Sequence, residues 1–200
     1  MDKEALQEVK NLINNLPEKF NLLEQGVDLE TRKEYFKIYK KINTKNYLEA
    51  EIIEESNKLF SPEIDLNIKR EILIKLASLG TVKSYRKIEK YYNDSIDKDL
   101  VNWTLLALED CKMFLESYLM DEDIGFISTG LGSKRNKLRN FFIIIALDDN
   151  KFKKTEREII NREYELVCKE FDSELEKIEF DANYSSLTVL LPMNIAYQKL

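Results

Sequence analysis

The sequence predicts an α+β protein, in which a helical front is followed by a small β-α-β-β(-α) unit. Up to about residue 118, apolar residues recur at the three- and four-residue spacing of amphipathic helices. The run Phe141–Ile145 then carries the strongest β signal in the chain, and residues 176–182 alternate between apolar and charged side chains. We therefore predict three parts, which are helical residues 1–120, a connector over residues 121–137 and an α/β unit over residues 138–200.

The composition is that of a folded, acidic protein. The chain has 200 residues, of which 44% are hydrophobic, and a chain of this size buries roughly 70% of its unfolded surface. Its net charge of −6 disfavours nucleic acid and anionic membranes as partners. The N-terminus is polar from its second residue, and the apolar run of residues 141–147 is too short to cross a bilayer. We therefore expect a cytoplasmic protein that does not associate with membranes.

The chain has no histidine and only two cysteines, Cys111 and Cys168. The lack of histidine excludes Ser-His-Asp and Cys-His catalysis as well as histidine-based zinc sites. Two isolated cysteines form neither a Cys-x-x-Cys motif nor a disulfide framework, so we predict two buried free thiols. We accordingly expect a protein that is not an enzyme and that carries no cofactor and no metal.

We expect the first 120 residues to be helical throughout. Asp28 is a predicted N-cap and Gly80 a predicted C-terminal stop, because these residue types favour those positions. The apolar spacing predicts helices over residues 6–16, 18–25, 29–42, 48–60, 66–79, 82–92 and 97–120.

Two of these helices share a short pattern. Shifting the sequence by 30 residues aligns Leu73-Ile74-Lys75-Leu76-Ala77 with Trp103-Thr104-Leu105-Leu106-Ala107, and in both a small alanine follows a leucine. With the string over residues 68–80, this stretch resembles the HEAT-like helical repeats over approximately residues 60–118. The resemblance implies a stacked scaffold that binds protein partners through one face. The Asp-Pro-Asp turn and the Val-Arg pair of that family are absent, and an irregular helical bundle is the alternative.

The last part is predicted to form a small sheet. Residues 138–147 do not alternate, which favours a central strand covered on both faces. A helix from Thr155 to about Phe171 follows, then strands over residues 176–182 and 187–191 and a last helix from residue 193. This order resembles part of a ferredoxin-like split β-α-β unit, for which a right-handed crossover is expected. The string Phe126-Ile127-Ser128-Thr129-Gly130-Leu131-Gly132 is also similar to a group of bacterial proteins that pair a helical front with a short α/β end.

A glycine-rich loop with a basic exit is the candidate binding site. Three of the five glycines lie between residues 125 and 132, and four cations follow within six residues. Backbone N–H groups of such a loop can form a nest for an anion, and the cations attract carboxylate or phosphate. No nucleotide-binding motif is present, and a strand rather than a helix follows the loop; a simple solvated connector is the other interpretation. The predicted site consists of Thr129, Gly130, Gly132, Ser133, Lys134, Arg135, Lys137 and Arg139.

We therefore predict a non-catalytic interaction or regulatory module that contacts an acidic protein partner or an anion with this loop. The alternative is a small-molecule sensor with a pocket between the helical layer and the sheet, lined by residues such as Trp103, Phe126 and Phe141. A metal-dependent hydrolase is a third hypothesis, and it requires Asp148, Asp149 and another acid to converge.

Overall fold

The computed structural model describes residues 19–42, 48–94, 97–146, 151–181 and 183–193. Its helices and sheets confirm the α+β class. The described residues form two compact units, of which the first comprises residues 19–21 and 27–127 and the second residues 22–26 and 128–193. The boundary therefore falls inside the predicted connector. The predicted helices over residues 6–16 and beyond residue 193 lie outside the described residues, as do Asp148 and Asp149.

The first unit is mainly helical, and its helix ends follow the sequence signals. The Thr31 N–H donates to Asp28 Oδ1 at 2.8 Å, which caps the first helix as predicted. Gly80 has a φ of +55° and ends a later helix, again as predicted. The helices are α1 (Leu29–Ile42), α2 (Glu49–Glu55), α3 (Leu66–Leu79), α4 (Val82–Asp94) and α5 (Val101–Met120), with 3₁₀ turns at Ser56–Phe60 and Lys98–Leu100.

The core of this unit lies where α3 packs against α1, α4 and α5. Trp103 is almost fully buried there, with its ring 5.2 Å from that of Tyr35 and 4.9 Å from the Arg70 guanidinium carbon. No repeat is identified among the described helices, so the HEAT-like architecture stays a prediction. None of these helices combines the length and the apolar character needed to cross a bilayer.

Most of a two-stranded sheet that local sequence patterns did not predict also lies in the first unit. Strand β1 (Lys19–Leu22) pairs with β2 (Ile124–Ile127). The helical prediction for residues 18–25 was therefore wrong. A strand of four residues has too few side chains for an alternating pattern to be recognised. The two strands are also about a hundred residues apart in the chain, so their pairing leaves no local pattern in the sequence. Asn21 Nδ2 donates to Glu116 Oε2 at 2.7 Å, and this hydrogen bond links β1 to the C-terminal part of α5.

A carboxyl group is buried in the helical core, where a tyrosine hydroxyl donates a hydrogen bond to it. Asp110, on α5, is only 3% exposed, and Tyr35 OH donates to its Oδ2 at 2.7 Å. Burial raises the pKa of Asp110 to about 6, although the hydrogen bond from Tyr35 acts in the opposite direction. Burial of the Tyr39 side chain, together with the negative charge of Asp110, raises the pKa of Tyr39 to about 12. The native state therefore binds a proton at Asp110 more tightly than the unfolded chain does.

The raised pKa of Asp110 predicts that the difference in the free energy of unfolding between the wild type and Asp110→Asn depends on pH. Because the folded pKa of about 6 lies above the ordinary value of 3.8, the stability due to protonated Asp110 is complete below pH 4 and is lost as the pH rises through 6. Between pH 4 and pH 7 the wild type should lose roughly 2–3 kcal/mol relative to the variant. Urea unfolding followed by the fluorescence of Trp103 measures this difference, and a difference that does not change with pH would contradict it.

The second unit contains a four-stranded antiparallel sheet. Its strands are β3 (Ser133–Lys134), β4 (Lys137–Ile145), β5 (Glu174–Phe180) and β6 (Tyr184–Leu191), in the order β3-β4-β6-β5. Helix α6 (Lys154–Glu170) connects β4 to β5. Since β6 is antiparallel to both neighbours, β4 and β5 run in the same direction on either side of it, which is the arrangement of a split β-α-β unit.

Only one face of this sheet is covered by α6. Tyr164 and Cys168 of the helix pack against Leu187, Val189 and their neighbours on the inner face. The prediction that β4 is covered on both faces was wrong, because its odd-numbered side chains from residue 141 onwards are exposed. Both cysteines are buried and free, as predicted.

Candidate functional site

The predicted binding residues lie in one loop and one tight hairpin. Residues 128–132 form the loop, and β3 with the start of β4 forms the hairpin, which we call the basic hairpin (residues 133–139). At its tip Arg135 and Asn136 have φ angles of +52° and +60°. Two successive positive φ angles are the geometry of a type I′ turn, which joins strands with their natural twist. The turn leaves the Arg135 side chain 70% exposed.

The glycines of the loop serve backbone packing rather than an open anion nest. A Cβ on Gly132, which has a φ of +74°, would lie 2.2 Å from the Glu24 carbonyl oxygen. The N–H of Gly132 donates to Thr129 Oγ1 at 2.9 Å, and the N–H of Ser133 donates to the Glu24 carbonyl at 3.0 Å. A Cβ on Gly130, by contrast, would meet nothing within 4 Å. Two of the backbone N–H groups predicted to bind an anion, those of Gly132 and Ser133, are therefore already used within the chain.

The cations of the basic hairpin also have partners within the chain. Arg139 Nε and Nη2 donate to the two oxygens of Glu176 at 2.5 and 3.1 Å, and Lys134 Nζ lies 3.4 Å from the same carboxylate. The hydrogen bonds from Arg139 lower the pKa of Glu176, and those to Glu176 raise the pKa of Arg139. Bidentate contact of this kind is the strongest form of arginine–carboxylate pairing.

The other two cations form salt bridges with acids near the start of β5. Arg135 Nη1 is 3.1 Å from Glu174 Oε2, and Lys137 Nζ is 3.2 Å from Asp172 Oδ1 and 3.4 Å from Glu174 Oε1. Four cations and three acids leave the group with a net charge of +1. The cations are close together in the sequence and could be predicted as a group. Their acidic partners lie 35 to 42 residues further along the chain, and the sequence does not indicate this pairing.

An exposed apolar surface lies beyond these ion pairs on the same face of the sheet. Phe141, Ile143 and Ile145 are 55%, 58% and 69% exposed, and Tyr184, which lies opposite Ile145 on β6, is 41% exposed. We call these four residues the apolar patch. The sequence of β6 indicates that this face of the sheet is exposed. Ser186 and Thr188 alternate there with buried apolar residues, which is typical of a strand with one side facing solvent.

The apolar patch adjoins a strand edge that has no backbone partner among the described residues. The Ala146 N–H donates to the Asn183 carbonyl on the β6 side, whereas the Arg139 N–H donates to the Gly132 carbonyl on the opposite side. Since N–H groups alternate along a strand, those of residues 141, 143 and 145 point away from β6. Strand β3 pairs only with residues 137 and 138. Within the described ranges no backbone hydrogen bond reaches the outer edge of β4 from residue 141 onwards.

No family model, curated protein or solved structure matches this chain. What the candidate site can do is therefore inferred from its own geometry and charge.

Metal-ligating side chains, thiols and a groove are the other features of the described residues that bear on their chemistry. The described residues include no cluster of three or more potential metal-ligating side chains. Burial raises the pKa of both cysteine thiols, which disfavours the reactive thiolate. A groove of about 460 Å³ between α2 and α4 is lined by both acids and lysines, with Lys87 held by Asn57 at 3.0 Å. Of the residues predicted to line a sensor pocket, Trp103 is buried in the helical core and Phe141 is exposed.

Proposed function

We propose that this protein is a non-catalytic interaction module that binds a protein partner through the outer face of its four-stranded sheet. The observation that carries the proposal is the apolar patch, in which four large side chains lie side by side and remain largely exposed. Large apolar side chains that are contiguous on a surface mark contact sites more often than isolated ones do. The unpaired edge of β4 adds backbone donors and acceptors that a partner strand can use.

The ion pairs of the basic hairpin form the polar border of this surface. The more exposed of these pairs, that of Arg135 with Glu174, contributes about 0–1 kcal/mol, so a partner can exchange it for its own charges at little cost. Protein interfaces commonly place such a polar rim around an apolar centre. The sheet therefore combines both components of an interface on one face.

The test compares proteins retained by immobilised wild type with those retained by Phe141→Lys. A matched control is Ile159→Lys on α6, because Ile159 is also an exposed apolar residue, at 57%, but lies outside the patch. We expect the wild type and the control to retain the same partner and Phe141→Lys to lose it. Identical retention by all three would contradict the proposal.

A second candidate function is the binding of an acidic partner or anion by the basic hairpin. It is supported by the exposed Arg135 side chain at the hairpin tip and by the net charge of +1. The double variant Lys134→Glu/Arg135→Glu should then bind an acidic peptide at least about tenfold more weakly at low salt, whereas Lys177→Glu, which lies on β5, should not. Unchanged binding by the double variant in titration calorimetry would exclude the site.

A further inference from the structure

We infer that the partner of the apolar patch is a second copy of this chain, paired with the first through the outer edge of β4. The inference rests on the proposed function, since it names the occupant of the same surface. Two β4 strands would lie antiparallel about a two-fold axis and join two four-stranded sheets into one. Closed two-fold dimers are the commonest form of homo-oligomer.

The hydrogen-bonding pattern of the edge fixes the register of this dimer. Residues 141, 143 and 145 present their N–H and C=O groups outward, which is a set symmetric about Ile143. An axis at Ile143 makes that residue face its own copy and sets Phe141 against Ile145 of the partner subunit. Each of the three resulting pairs exchanges two hydrogen bonds, so all six exposed donors are used. A shift by one residue would oppose the wrong groups and lose this pattern.

The side chains that face each other in this register are apolar and can pack together. Phe141 meets Ile145 of the partner subunit on both sides of the axis, and cross-strand pairs of an aromatic with a β-branched residue are favourable. Residues 140–146 contain no charged side chain, so no like charges meet within the paired segment. Arg139, the nearest cation, is held by Glu176. The edge thus lacks the charges with which monomeric proteins usually prevent such pairing.

The available area indicates a weak dimer rather than an obligate one. Large side chains have roughly 200 Å² each, and the three of the apolar patch that lie on β4 are about half exposed, which gives at most roughly 300 Å² per copy. Tyr184 lies on β6 and is not counted, because it is one strand away from the paired edge. Two copies with their paired backbone therefore stay below about 1,000 Å², in the range of weak and transient interfaces. We expect half-association at protein concentrations on the order of 10 µM.

Sedimentation velocity of the full chain from about 1 to 200 µM, a range that brackets this expected midpoint, tests the dimer. The wild type and Ile159→Lys should pass from monomer to dimer. Ile143→Lys should remain monomeric, because its two ammonium groups would face each other across the axis. A monomeric wild type at every concentration, or equal dimerisation of both variants, would overturn the inference. If a monomeric wild type still retains a partner that Phe141→Lys loses, the dimer fails while the proposed function stands.

Disulfide trapping tests the register even if Ile143→Lys does not fold. In Ile143→Cys the two new thiols face each other with Cα atoms about 5.5 Å apart, within the range that a disulfide spans. In the control Ile145→Cys the same atoms lie roughly 13 Å apart. A mild oxidant should therefore link the first variant into dimers at least about tenfold faster than the second, since only the first pair is within disulfide range. Equal rates, or no linkage of Ile143→Cys, would contradict the register.

Discussion

Replacing Asp97 by alanine is expected to lower the free energy of unfolding of the helical unit by about 3–5 kcal/mol. Lys69 on α3 is completely buried, and its Nζ lies 2.6 Å from Asp97 Oδ2. Tyr91 on α4 donates to the same oxygen at 2.6 Å. Burial by itself raises the pKa of Asp97, but the hydrogen bonds from Lys69 and Tyr91 outweigh it and the pKa is lowered. Without the carboxylate, an ammonium group is left in the core with no acid beside it.

Urea unfolding followed by fluorescence measures this loss, because Trp103 is the single tryptophan and lies in the helical core. Glu30→Ala is the matched control, since Glu30 pairs with Lys33 at 3.0 Å but both side chains are largely exposed; its effect should stay below about 0.5 kcal/mol. Adding Lys69→Met to Asp97→Ala should restore part of the stability, because it removes the unpaired charge. A double variant no more stable than Asp97→Ala would refute this explanation.

Gly132→Ala is expected to destabilise the second unit by about 2–4 kcal/mol. The new Cβ would lie 2.2 Å from the Glu24 carbonyl oxygen and 2.7 Å from the Gly26 nitrogen, and the φ of +74° is unfavourable for alanine. Both contacts are to backbone, which cannot rotate away as a side chain can. The segment 22–26 would have to move from the loop, and the hydrogen bond from the Ser133 N–H to Glu24 would be lost.

Gly130→Ala provides the control two residues away. A Cβ there meets nothing within 4 Å, so the stability should change by less than about 0.5 kcal/mol. Since Trp103 belongs to the helical unit, the measurement here is far-UV circular dichroism during thermal unfolding. Equal melting temperatures for the two variants would show that Gly132 is not held at a close backbone contact.

The sequence predicted those parts of the fold that depend on local signals. Asp28 and Gly80 mark helix ends through short-range hydrogen bonds and backbone angles, and the strand–helix–strand–strand order of the second unit was also predicted. The strands β1 and β2 were missed, because only pairing between distant segments makes such short stretches extended.

The candidate site was less accessible to sequence reasoning. The basic residues are adjacent in the sequence, but Glu174 and Glu176, which pair with them, come from another strand. The run Phe141–Ile145 gave the same strand prediction whether one or both faces were covered, because every residue in it is apolar. Which face is exposed depends on where α6 packs, and periodicity carries no information about that when all positions are alike.

Amide hydrogen exchange along β4 tests the open edge most directly. The exchange is carried out at about 1 µM, a concentration tenfold below the expected midpoint of association, then quenched and read residue by residue by mass spectrometry. The amides of Phe142 and Ile144 point towards β6, whereas those of Phe141, Ile143 and Ile145 point to the outer edge. We expect the outer amides to exchange at least about tenfold faster than the inner ones, since their hydrogen bonds are made to water. Equal protection of both sets at this dilution would mean that the chain covers its own edge, and would contradict the central claim.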